Sequence, residues 1–221
     1  MRAHGLQFVG ALALGLLVAA CGAPEPSFPA TSSCPEQPRA AGTIPDLERL
    51  VPADLDGRAA DTVDSGWNCL PSTLGSYATH GVTRLEFGGA TWDDGNGNGS
   101  VAAIFRSVSG DPALQAGWVE EFYEDGARAS TKTENIEITH PSLPGAGAVY
   151  RLETLNDLSL QTIVIWPGDA GVHVVLVATT VDPGASRDAH NARVSQVVEA
   201  AAGAAGEAGS SPAASVVPSP A

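Results

Sequence analysis

Two apolar segments near the C-terminal end constrain the fold most. Residues 160–166 and 172–179 are rich in Val, Ile and Leu on both alternating faces, and the short run from Pro167 to Gly171 separates them. Such segments are typical of strands buried on both faces. A short turn joins strands that pair antiparallel. We therefore predict a sheet with these two strands at its centre.

Four further segments have strand patterns. In chain order they cover residues 82–87, 101–108, 134–139 and 148–155. The glycine-rich run from Asp93 to Gly99 joins the first two of them, which predicts a hairpin. Short helical turns are expected over 45–50 and 71–80.

Two longer helices complete the pattern. The first is expected over 111–126, with Asp111 as its N-cap and Leu114, Trp118 and Phe122 repeating every four residues. The second is expected over 185–202. The element order and the hairpin connections predict an α+β fold, a largely antiparallel sheet of about six strands packed with two main helices in a two-layer sandwich.

The N-terminal residues have the features of an export signal. Arg2 and His4 precede an apolar run from Leu6 to Ala20 that no acidic residue interrupts, and this run is short for a spanning helix. The end of the run, Val18-Ala19-Ala20-Cys21, resembles the lipobox of bacterial lipoproteins. That resemblance implies a signal peptide over 1–20 and acyl chains on Cys21, which would hold the protein at the extracytoplasmic face of the cell membrane. An ordinary signal with a chance cysteine is the alternative.

Composition divides the rest of the chain into three parts. Residues 21–43 hold the lipidated cysteine and a proline-rich segment that reads as a tether. Residues 44–202 form one α+β domain, and residues 203–221, which are mainly Ala, Gly, Ser and Pro, are predicted to be a disordered tail.

Charge limits the class of partner. The chain has 11 Lys and Arg residues against 25 Asp and Glu, for a formal net charge of −14, and Lys132 is its only lysine. Because phosphates repel so acidic a surface, we expect no nucleic-acid partner. The partner classes that remain are the membrane, reached through the lipid anchor, an envelope protein, and a small apolar or glycan ligand.

The two other cysteines are Cys34 and Cys69. An even pair in an exported chain predicts a disulfide. The alternative is a metal-binding or nucleophilic thiol, although neither cysteine has a nearby C-x-x-C or histidine partner.

One loop has part of a calcium-binding pattern. Asp94, Asn96 and Asn98 occupy the first, third and fifth positions of an EF-hand-like loop, and Asp93 offers a further oxygen. Phe105, however, stands at the twelfth position, where a bidentate glutamate belongs. The same Asn-Gly repeats are favoured in tight hairpins because they accept positive φ. A plain hairpin loop is the favoured interpretation, and Ca²⁺ binding is the minority one.

No catalytic motif stands out. His80, His140, His173 and His190 are scattered without metal-ligand spacing, and the chain contains no G-x-S-x-G, S-x-x-K or P-loop. Glu120-Glu121 are expected on a solvated helix face. Trp92 and Trp166 lie at strand ends, where they either cap the core or line a cleft, and capping is favoured.

The element order resembles the PsbP-like architecture of some mycobacterial LpqN-type lipoproteins. Separately, the stretch Leu47-Glu48-Arg49-Leu50-Val51-Pro52 followed by Leu55-Asp56-Gly57 is similar to one in uncharacterised secreted bacterial proteins. Neither resemblance implies a catalytic residue.

Together these patterns favour a lipid-anchored cell-envelope protein that acts as a non-catalytic binding or interaction module. One alternative is an extracytoplasmic hydrolase whose His, Ser and acidic side chains come together from distant positions. Another is a calcium-dependent binding module that uses the loop from Asp93 to Asn98.

Overall fold

The computed structural model describes residues 39–156, 159–181 and 186–210. Its helices are α1 (Pro45–Glu48), α2 (Pro71–Leu74), α3 (Ser76–Thr79), α4 (Ala116–Ala129) and α5 (Arg187–Ser210). Its strands are β1 (Asp54–Leu55), β2 (Arg58–Ala59), β3 (Thr62–Asn68), β4 (Leu85–Gly95), β5 (Asn98–Ser107), β6 (Thr133–Thr139), β7 (Ser142–Leu143), β8 (Gly147–Ala148), β9 (Tyr150–Asn156), β10 (Ser159–Gly168) and β11 (Gly171–Thr180).

Seven strands form one sheet in the order β3-β4-β5-β11-β10-β9-β6. Each neighbouring pair is antiparallel. The predicted α+β class and largely antiparallel sheet are confirmed. The two apolar segments become β10 and β11, and β11 is the middle strand, as their two-sided apolar pattern predicts.

The two faces of the sheet hold separate cores. On one face, Val164 and Val175 pack with Val194 and Val197 of α5. On the other face, alternate residues of the same strands pack with Val119 and Tyr123 of α4. The long helices therefore lie on opposite faces, and the arrangement is helix, sheet, helix where a two-layer sandwich was expected. Strands that are apolar on both faces need cover on both.

Of the seven strands in the main sheet, the one that the sequence patterns missed is β3. Its residues, Thr62–Asn68, show no alternation of apolar and polar side chains, and tertiary contacts hold it in place. It pairs with β4 along its length. The hydroxyl of Ser65 in β3 accepts the N–H of Ile44 (2.6 Å) and donates to Glu48 of α1 (2.6 Å), which ties the first helix to this edge.

The domain is longer than predicted at both ends. Ala40 pairs with Ser65 of β3, so residues 39–43, expected as the end of the tether, belong to the domain. Helix α5 continues to Ser210, so the tail predicted over 203–221 starts inside a helix. Alanine, the best helix former, outweighs Gly203 and Gly206, and the next proline is Pro212. Residues 1–38 and 211–221, which hold the predicted signal peptide and most of the tail, lie outside the described residues.

Helix α4 starts later than predicted because Asp111 has another role. Its carboxylate accepts the backbone N–H groups of Thr83 (2.6 Å) and Arg84 (3.2 Å), which fixes the start of β4. The helix then begins at Ala116 without a side-chain cap. Within the described ranges no helix combines the length and apolar character needed to cross a membrane.

Candidate functional site

A cleft of about 520 Å³ opens where the start of α5 meets the β6 side of the sheet. Helix α5 packs mainly on β11 and β5, and its first turns reach β9 through Arg187 and Asn191, which contact Glu153 and Arg151. We call this the sheet-edge cleft. Its side chains on the sheet and at the start of α5 are Asn135, Glu137, Glu153, Leu155, Leu160, Thr179, Val181, Ser186, Arg187 and His190.

The floor of the cleft is apolar. Leu155 of β9 and Leu160 of β10 are directly opposite each other, and both are partly exposed. Neither belongs to the two described core clusters. Val181, at the rim, keeps 43% of its surface exposed. Contiguous exposed apolar side chains beside polar groups are typical of binding surfaces.

The inner wall of the cleft is ionic. Glu153 is nearly buried, and its two carboxylate oxygens meet Arg187 at 2.5 Å and Arg151 at 2.8 Å. Thr162 lies at 3.5 Å from the same carboxylate. Two guanidinium groups thus flank the Glu153 carboxylate, one at each of its oxygens.

His190 sits behind this wall and is only 2% exposed. Its Nε2 lies 2.8 Å from the hydroxyl of Thr162 and its Nδ1 lies 2.8 Å from that of Thr179. Burial lowers the pKa of His190, with the nearby Glu153 carboxylate opposing that shift. A neutral ring donates at one nitrogen and accepts at the other, so both hydroxyls are satisfied. The histidine thereby fastens α5 to β10 and β11.

This cluster bears on the hydrolase alternative. It brings a histidine and a carboxylate together from distant positions, with two threonine hydroxyls where that alternative expects serine. The imidazole is enclosed and both its nitrogens are occupied by strand side chains. A satisfied, buried histidine of this kind is accounted for by its structural role, and the hydrolase stays a prediction.

The predicted calcium loop forms the tip of the β4–β5 hairpin. Asn96 (φ 54°) and Gly97 (φ 81°) occupy its turn, the backbone that a two-residue type I′ hairpin requires. Asp94 pairs with Arg58 and Arg193, and Asn98 accepts the N–H of Thr180 at 2.7 Å. These oxygens are thus engaged by cations and by a backbone donor, which favours the plain hairpin. Calcium binding stays a prediction.

Other sequence candidates are dispersed. No group of three His, Cys, Asp or Glu side chains within the described part of the chain could hold a metal ion. His80 stacks on Trp118, with ring centroids 4.7 Å apart, and its Nε2 lies 2.7 Å from Glu121. His173 stacks on Trp166, which is buried. Trp92 is fully buried in the α5-side core. The prediction that Trp92 and Trp166 cap the core is therefore confirmed.

The cysteine predictions rest partly outside the described residues. Cys21 and Cys34 lie there, so lipidation and the Cys34–Cys69 disulfide stay predictions. Cys69 itself is half-buried directly after β3. A bridge from this position would fasten the predicted tether beside the edge where Ala40 already pairs.

Sequence reasoning missed the sheet-edge cleft, although a signal for it exists. Glu153, Thr162 and Thr179 are polar residues of three neighbouring strands, and pairing puts Glu153 opposite Thr162. Polar residues that align on one face of a buried sheet indicate a site or a polar network. No protein-family model, curated protein or solved structure matches this chain, so this geometry is what a functional proposal can rest on.

Proposed function

We propose that this protein is a lipid-anchored, extracytoplasmic binding module that acts without catalysis and takes its ligand in the sheet-edge cleft. The observation that carries the binding proposal is the cleft itself, in which an apolar floor lies next to an ion-paired wall. Apolar surface supplies affinity, and a few fixed polar groups supply orientation. The lipobox resemblance at Val18 to Cys21 supports the anchor.

Replacing Cys21 with serine is expected to move the protein from the membrane pellet to the soluble fraction, because serine cannot form the thioether that carries the acyl chains. Fractionation of the producing bacterium followed by immunoblotting measures this. Cys34→Ser is the matched control, since it removes an exported cysteine and leaves the lipobox intact. Unchanged membrane retention of Cys21→Ser would refute the anchor.

Binding in the cleft can be tested with Nile red, a neutral dye whose fluorescence rises on apolar surfaces. We expect Val181→Glu, made in the full chain carrying Cys21→Ser, to lower the bound-dye signal by about half or more. The substitution puts a charge at the rim of the apolar floor on which the dye would bind. Leu70→Glu is the control, because Leu70 and Val181 are each 43% exposed and Leu70 does not line the cleft. Equal effects of the two substitutions would refute the cleft as the apolar binding surface.

A further inference from the structure

We propose that the free edge of β6 binds an extended, basic segment of a partner protein, which adds to the sheet as a further antiparallel or parallel strand beside the sheet-edge cleft. The inference deepens the proposed function and rests on it. The partner segment has alternating apolar and basic residues.

The two edges of the sheet differ. At the β3 edge, the chain supplies its own cover: Ala40 and Ser65 exchange two backbone hydrogen bonds, at 3.1 and 3.2 Å, and Arg39 pairs with Asp64 at 2.6 Å. At the other edge, β6 pairs with β9, and none of the described strands pairs with its outer side. Every second residue of such an edge directs its N–H and C=O outward, where an added strand can bond them.

The sequence of β6 lacks two of the residue types that usually protect an edge against an added strand. Natural edges commonly carry proline or lysine, which oppose pairing, and Thr133–Thr139 contains neither. A register shift between Thr133 and Asn135 interrupts the start of the strand. The regular part from Ile136 to Thr139 remains available for pairing.

One charge on β6 favours a basic partner. Glu137 is directly opposite Glu153, and like charges in that position destabilise a sheet. Arg151 and Arg187 neutralise Glu153, whereas the described ion pairs and hydrogen bonds leave the exposed Glu137 carboxylate without a cation. A residue paired with Glu137 on an added strand would have its side chain on the same face, about 5 Å away. Lysine or arginine there would supply the missing charge.

The opposite face of β6 selects apolar residues. Ile136 and Ile138 flank Glu137 and pack against the α4-side core while remaining partly exposed. Side chains of an added strand next to them would extend this apolar surface. The net charge of −14 on the whole chain also attracts a cationic segment at long range. Both faces of the edge together specify an alternation of apolar and basic residues.

The test uses fluorescence anisotropy with a labelled peptide of alternating valine and lysine, titrated with the full chain carrying Cys21→Ser. A second peptide replaces each lysine with glutamate, and a third keeps the lysines but has alternate backbone nitrogens methylated. We expect the lysine peptide to bind and each of the other two to bind at least about tenfold more weakly, a factor that corresponds to about 1.4 kcal/mol. Glu137→Lys should weaken binding of the lysine peptide by a similar factor. Asp169→Lys, an equal charge change in the exposed turn between β10 and β11, should not.

Three results would overturn the inference: no binding of the lysine peptide, equal binding of the methylated peptide, or equal effects of Glu137→Lys and Asp169→Lys. Nile red separates this failure from that of the proposed function. If the dye signal still depends on Val181, the cleft remains a binding surface and only the basic peptide is excluded as its partner. If both assays fail, both proposals fall.

Discussion

Replacing Trp92 with alanine is expected to lower the free energy of unfolding by about 3–5 kcal/mol, the usual range for removing a fully buried tryptophan. Trp92 lies on β4 and has no exposed surface. Its ring belongs to the core that α5 covers, and its Nε1 donates to the carbonyl oxygen of Arg58 at 3.3 Å. The substitution removes both the packing and the contact that fastens the β1–β2 hairpin.

Urea unfolding followed by circular dichroism measures this loss without depending on tryptophan fluorescence. Trp118→Ala is the matched control, because Trp118 is only partly buried and stacks on His80 at the surface of α4. Trp118→Ala should lower the free energy of unfolding by less than Trp92→Ala does, since less apolar area returns to water. A Trp118→Ala loss equal to or larger than that of Trp92→Ala would contradict the assignment of Trp92 to the core.

The parts of the fold that could be predicted are those whose local and tertiary preferences agree. The two-sided apolar pattern of β10 and β11 requires a central position whatever surrounds it. At Asn96-Gly97, the residues that accept positive φ fall between two strand patterns, so the turn and the pairing predict the same hairpin. Such agreement between levels is what makes a segment predictable.

The parts that were missed depend on contacts between distant residues. β3 has no pattern of its own and is held by β4 and by Ser65 contacts with α1. Asp111 has the local features of a helix cap, yet its carboxylate accepts hydrogen bonds from the N–H groups of Thr83 and Arg84. A single sequence does not reveal which of two donors an aspartate will meet.

The candidate site was missed for a related reason. Its members come from four strands and the start of α5, and each is unremarkable alone. From the sequence, Leu155 and Leu160 are expected to be ordinary core residues. In the structure, the position of α5 leaves both partly exposed. The local motif from Asp94 to Asn98 is visible in the sequence, but its oxygens fasten a hairpin to β11 and α5.

Acidification should destabilise the protein between pH 6.5 and 4, in part through His173. This side chain on β11 is 4% exposed and stacks on Trp166, with ring centroids 5.1 Å apart. Burial lowers its pKa to about 4, against about 6.5 in an unfolded chain. Between these values the unfolded state binds the proton and the folded state does not, so stability falls as the pH falls. The contribution is complete above pH 6.5 and lost by about pH 4.

His173→Phe isolates this contribution, because phenylalanine keeps an aromatic ring next to Trp166 and cannot be protonated. Each unit of pKa difference corresponds to about 1.4 kcal/mol, so the wild type should lose on the order of 3 kcal/mol more than the variant between pH 6.5 and 4. Urea unfolding at a series of pH values measures both curves, and the carboxylates common to the two proteins cancel in the difference. His140→Gln serves as the control for the loss of a histidine at the surface, since His140 is exposed. Parallel curves for the wild type and His173→Phe would mean that His173 takes up its proton as readily in the folded protein as in the unfolded one, and that water reaches its ring inside the α5-side core.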